Sequence, residues 1–252
     1  MQIVSKSIVE RLNEYIKLAD PGWLTKLKPA NEKDIEFLKK YVGLTNENLN
    51  VMDSFIEFAR YAGEGDSGLI SSILKGKFSI KDLVQRNAEI YGILPKDINS
   101  NEFEFLTDEV GMDYMIELKE GGRIFYEDTC YISSSFEHLL FQCSIRKYEE
   151  MFYKDNIYFG SSIQSFQESR KRRKDDTLSC IMQRLVEEYD LQTPWFNDEY
   201  FFYAYGKGFS IFLLKRVAVA GKIMGDNIFQ IQHILKKVLP IIGACIQKKL
   251  NI

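Results

Sequence analysis

Between residues 103 and 143, three apolar runs alternate with a period of two: Phe103 and Phe105; Tyr114, Ile116 and Leu118; Ile124 and Tyr126. That spacing turns one side of each run to a core and the other to water, so the segment reads as antiparallel strands. Lys119-Glu120-Gly121-Gly122 joins the second run to the third, and paired glycines tolerate the positive φ angles of a tight hairpin. Ser134-Ser135-Phe136-Glu137 has capping-box form, with Ser134 accepting from an orphan amide and Glu137 reaching back. Phe136, Leu139, Leu140 and Cys143 then fall on one helical stripe. A sheet over residues 103–132 should therefore feed directly into a helix.

The chain before this sheet reads as helical. Ile8, Leu12, Tyr15 and Ile16 are helically spaced and Pro21-Gly22 ends the run. Trp23, Leu24 and Leu27 are expected on the surface, as a connecting strap. Asn31 reads as an N-cap, with Ile35, Leu38 and Val42 as the buried stripe and Gly43 as the stop. Residues 51–62 bury Phe55, Phe58, Ala59 and Ala62, and Ser79 caps a helix over residues 79–91. Beyond the sheet, residues 148–159 fit either a strand or an extended strap. Leu178, Ile181, Met182, Leu185 and Tyr189 mark a helix over residues 176–189. Two apolar blocks, residues 200–205 and 209–214, flank Gly206-Lys207-Gly208 as in a hairpin, a buried helix pair being the alternative. Asp226 or Asn227 should cap a last helix through Ile228, Ile231, Ile234, Leu235 and Val238, bent by Pro240 and continuing to Lys249.

A strand ending in Leu106-Thr107-Asp108, then Gly111-Met112-Asp113-Tyr114, a hairpin, a third strand and a short Ser-Phe-Glu helix resembles the SUKH superfamily. These domains are typified by a yeast cell-wall regulator and by many bacterial immunity proteins. Residues 33–44 resemble the family's opening helix before a Gly-Leu segment, and residues 55–65 its helix ending in an aromatic and glycines. The resemblance covers residues 29–146. Val51-Met52 stands where a proline often precedes the second helix, and Gly111 is alone where several glycines are common. The resemblance implies an α+β fold, a SUKH-like antiparallel sheet flanked by helices, taken as one domain over residues 1–147. Beyond it the residues themselves read as a helix-rich C-terminal extension of unknown type, residues 148–252, packed on the first domain. The resemblance further implies a non-catalytic protein-binding domain, an immunity protein that neutralises a bacterial toxin by covering it. A regulatory or scaffold protein without a toxin partner is the alternative.

Charge points to the surface that would do this. The net charge of −3 over 252 residues hides a segment, residues 102–128, with nine acidic and two basic side chains. Such a surface attracts a cationic partner and repels nucleic acid. The expected contact residues are Asp108, Asp113, Glu117, Glu127 and Asp128, meeting a basic toxin such as a nuclease. The run Arg170-Lys171-Arg172-Arg173-Lys174 is followed at once by Asp175-Asp176 and lacks interleaved aromatics, so it reads as a solvated element rather than a nucleic-acid site.

Chemistry finds little to work with. Gly63-Glu64-Gly65-Asp66-Ser67-Gly68 matches a dinucleotide pattern, yet it follows a helix and puts two carboxylates where an anion would sit, so it reads as a helix-exit loop. His138 and Cys143 lie five residues apart on one helix and do not face each other. Four cysteines without a Cys-x-x-Cys pair and two histidines give neither a disulfide framework nor a zinc site. No catalytic residue, cofactor or metal is expected. No run of 18 apolar residues suggests a membrane span, and the first residues lack the order of an export signal, so the expected location is the cytoplasm.

Overall fold

The structure, a computed structural model, describes residues 6–41, 46–91, 101–119, 121–126, 130–162, 164, 167, 178–215, 218–242 and 244–246. Contacts divide the chain into two units, Met1–Tyr148 and Glu149–Ile252.

In the first unit, α1 (Ile8–Ile16) begins with a reciprocal cap. The Ser7 hydroxyl accepts from the Glu10 amide at 3.1 Å, and the Glu10 carboxylate accepts from the Ser7 amide at 2.8 Å. The strap expected at residues 23–27 is instead a single helical turn, α2 (Trp23–Lys26). It drives the Trp23 ring fully out of water, because sheathing an indole removes roughly 150–250 Å² of mostly apolar surface. Then come α3 (Glu32–Tyr41), α4 (Asn46–Ala62), α5 (Ser71–Leu74) and α6 (Ile80–Tyr91). Asn31 and Ser79 cap α3 and α6 as their sequences predict, through bonds to the Lys33 and Asp82 amides; Val42 and Gly43 lie outside the described residues.

The period-two runs form a meander of β1 (Glu102–Thr107), β2 (Asp113–Glu117), β3 (Ile124–Tyr126) and β4 (Cys130–Ser133), every neighbour antiparallel. α7 (Phe136–Tyr148) follows, capped by Ser135 one residue later than predicted: the Ser135 hydroxyl accepts from the His138 amide, while Glu137 pairs with Arg11. The core lies between α4, α7 and one face of the sheet. Phe55 packs edge-on against Phe103 at 5.2 Å and Phe136 at 5.2 Å, and Phe136 against Phe105 at 5.5 Å. Each such pair contributes about 0.5–1.5 kcal/mol beyond its buried area.

The second unit corrects the expectation of a helix-rich extension. After a 3₁₀ turn (Glu149–Phe152) it runs β5 (Asp155–Ser161), α8 (Leu178–Tyr189), β6 (Phe201–Gly206), β7 (Phe209–Lys215), β8 (Val219–Gly225), α9 (Ile228–Ile242) and β9 (Ala244–Ile246). These strands make one antiparallel sheet in the order β6-β7-β8-β5-β9. Asn227 caps α9, but the helix stops at Ile242 instead of reaching Lys249, and a strand follows.

Met182 and Leu185 of α8 and Ile231, Ile234, Leu235 and Val238 of α9 pack on Phe209, Ile211, Leu213 and Ile223. On the sheet's other face Lys222 is 1% exposed, its ammonium paired with Glu150 and 4.3 Å above the Tyr158 ring. The β6 edge is closed by its preceding loop. The Asn197 side chain donates to the Tyr203 carbonyl at 2.7 Å and accepts from the Tyr203 amide at 2.8 Å, as a neighbouring strand would, and Gln192 and Tyr205 exchange backbone bonds. No helix among the described residues is long and apolar enough to cross a membrane.

Candidate functional site

The structure separates the acids expected to act as one surface. Thr107 pairs with Asp113 at the closed end of the β1–β2 hairpin, and Glu102 pairs with Glu117 at its open end. Asp113 and Glu117 are four residue steps apart along β2, about 13 Å at 3.3 Å per step. Asp108 and Asp113 therefore belong to one end and Glu117 to the other; Glu127 and Asp128 lie outside the described residues.

Glu117 is engaged within the sheet. Arg123 grips it with two nitrogens, at 2.7 and 3.2 Å, and the same guanidinium lies 4.4 Å from the centre of the Tyr131 ring. A carboxylate held by a bidentate arginine offers a partner little net charge.

At the closed end Asp108 shapes the backbone. Its Oδ1 accepts from the Val110 amide at 3.0 Å and the Met112 amide at 2.9 Å, and its Oδ2 from the Tyr126 hydroxyl at 3.2 Å. Hydrogen bonds to the ionised form, the Met112 amide foremost, hold this carboxyl below the usual aspartate value. The Asp108 amide in turn donates to the Met112 carbonyl at 2.9 Å, and Gly111 takes φ +87, open to a glycine at little cost.

This bracing pushes Val110 into water at 77% exposure and Met112 at 38%, framed by Glu109 and Asp113. Asp113 accepts from the Thr107 hydroxyl at 2.9 Å, and Arg86 bridges Thr107 and Glu104, lying 2.7 Å from the latter. Val110, Met112 and Glu109 were not among the expected contact residues. The signal was present: Asp108 followed three residues later by Gly111 is the sequence of a type I turn, whose middle residues must project.

Beside the tip runs an open groove of about 620 Å³ with Gly68, Ser71, Ser72 and Gly76 on one side and Asp108 and Glu109 on the other. Lys77 also lines it, but pairs with Asp82 at 2.6 Å. Gly76 permits the close approach to β1, since a Cβ there would stand 2.3 Å from the Thr107 carbonyl oxygen.

The glycine-rich loop after α4 serves the fold. Asp66, 3% exposed, accepts from the amides of Gly68, Ile70 and Ser71 and from the Ser71 hydroxyl, so its charge is satisfied internally. Glu64 takes the Ser79 hydroxyl and the Lys81 amide. Lys147 donates to the Ser67 carbonyl, and burial depresses its ammonium below the usual lysine value.

Ser135 and His138 do meet, Oγ to Nδ1 at 2.8 Å, but the same hydroxyl caps α7. Cys143 is fully buried, and its thiol is pushed up to about 12, which leaves no thiolate to act as nucleophile at neutral pH. Among the described residues no group of three or more His, Cys, Asp or Glu side chains could hold a metal ion. Comparison with protein-family models, with curated proteins and with solved structures returned no match.

Proposed function

We propose that this chain is a non-catalytic binding protein that works in the cytoplasm as an immunity protein, covering a basic toxin such as a nuclease. One observation carries the reading: the first unit presents exposed carboxylates at both ends of the β1–β2 hairpin, Glu109 and Asp113 at the closed end and Glu102 at the open end, on a meander fixed by strand pairing and by the Asp108 turn. A rigid acidic surface steers a cationic partner and loses little entropy on docking.

Asp108 and Glu117 hold the sheet together, so reversing them would confuse folding with binding. The informative pair is Glu102→Lys and Asp113→Lys, tested against the product of the neighbouring gene by stopped-flow association at low salt. The association rate should fall about 10-fold or more, and the difference should shrink as salt rises. An unchanged rate would refute the surface.

A further inference from the structure

The groove beside the hairpin tip has a chemistry of its own. Two glycines and two serines line it, leaving Lys77 as the one long aliphatic side chain in the lining. The lining also carries Glu109, an exposed carboxylate with no hydrogen-bond or ion-pair partner among the described residues, next to Asp108, whose oxygens are already taken by the turn. The lining cation, Lys77, is paired with Asp82. Next to Glu109 in the chain, Val110 is 77% exposed, on a turn that its own amide helps to fix. An exposed apolar residue next in sequence to a carboxylate that lines an open groove suits a guest with the complementary pair: a cation for Glu109 and an apolar neighbour for Val110.

We infer that the groove takes a protruding loop of the partner protein in which an arginine or lysine stands next to an apolar residue, the cation lying against Glu109 and the apolar side chain against Val110. This rests on the binding-protein reading above and gives it a point of entry. The acids of the strands govern approach, and the groove governs retention.

The test uses the full chain, ¹⁵N-labelled, and two capped peptides, Ac-Leu-Arg-Leu-NH₂ and Ac-Leu-Glu-Leu-NH₂, added to millimolar concentration. The arginine peptide should shift the amides of Gly68, Ser71, Ser72 and Glu109 to Met112 and leave those of α1 and α9 in place. The glutamate peptide should shift none of them. Glu109→Gln and Val110→Ser, both surface changes that leave the core intact, should each reduce the response at least threefold. Equal shifts from both peptides, or an arginine response unaltered in both variants, overturns the inference.

The protein partner separates this failure from that of the wider reading. If Glu109→Gln and Val110→Ser leave its dissociation rate unchanged while Glu102→Lys and Asp113→Lys slow its association, the groove is refuted and the binding surface stands. If neither pair has an effect, both are refuted. A dissociation rate raised fivefold or more by the groove variants supports the inference.

Discussion

Asp108 was singled out for its charge, yet its work is geometric. Three donors converge on one carboxylate, and that convergence lowers its proton affinity. A group whose folded value is depressed adds stability above its unfolded value and loses it as pH falls through the folded one. The Val110 and Met112 amides should therefore exchange slowly with solvent from neutral pH down to about 3.8, the ordinary aspartate value, and loosen only below it. Hydrogen exchange followed by NMR across pH 2.5–7 checks this, and Asp108→Asn should remove the acid-triggered loosening. Exchange that is insensitive to acid in the unaltered protein would count against the turn. The sequence could show that this residue is acidic and that Gly111 follows at turn spacing. It could not show that Tyr126, eighteen positions on, would donate to the same carboxylate, because that depends on the register of two strand pairings.

Elements were legible where one face is wet or a glycine turn marks the boundary, and hidden where neither signal is present. β1 and β2 alternate because helices cover only one side of their sheet, and the period of two was plain. β8 reads Val-Ala-Gly-Lys-Ile-Met-Gly and is buried along most of its length, so no alternation survives; the lysine at its centre is the one that Glu150 neutralises. Ala244–Ile246 continues an apolar helical pattern and reads as more helix, since three residues are too few to show a strand's period. The β6 edge was equally invisible, because its partner is a side chain. Asn197→Ala would leave the Tyr203 amide and carbonyl without their bonds, at a cost of about 1–3 kcal/mol in urea unfolding. Asn197→Asp keeps the acceptor for the Tyr203 amide but sets a carboxylate oxygen against the Tyr203 carbonyl, and should also destabilise. Equal stability in all three proteins would show that the loop does not seal this edge.

At the scale of the molecule, each unit gathers a core from its own residues, built on packed phenylalanines in the first and, between helices and sheet, mainly aliphatic in the second. Residues 1–148 are accordingly expected to fold as a fragment with a cooperative urea transition. Phe55→Ala, which removes the ring that Phe103 and Phe136 both touch, should lower its stability by about 3–5 kcal/mol. A fragment that melts gradually by circular dichroism would show that this core is insufficient alone. The two sheets also differ in how they can be assembled. The first is a meander, each strand pairing with the next, so it can close as it leaves the ribosome. In the second, β5 is made first but sits between β8 and β9, so its two edges wait some sixty to ninety residues for their neighbours. During translation that unpaired ribbon is the part of the nascent chain most in need of a chaperone.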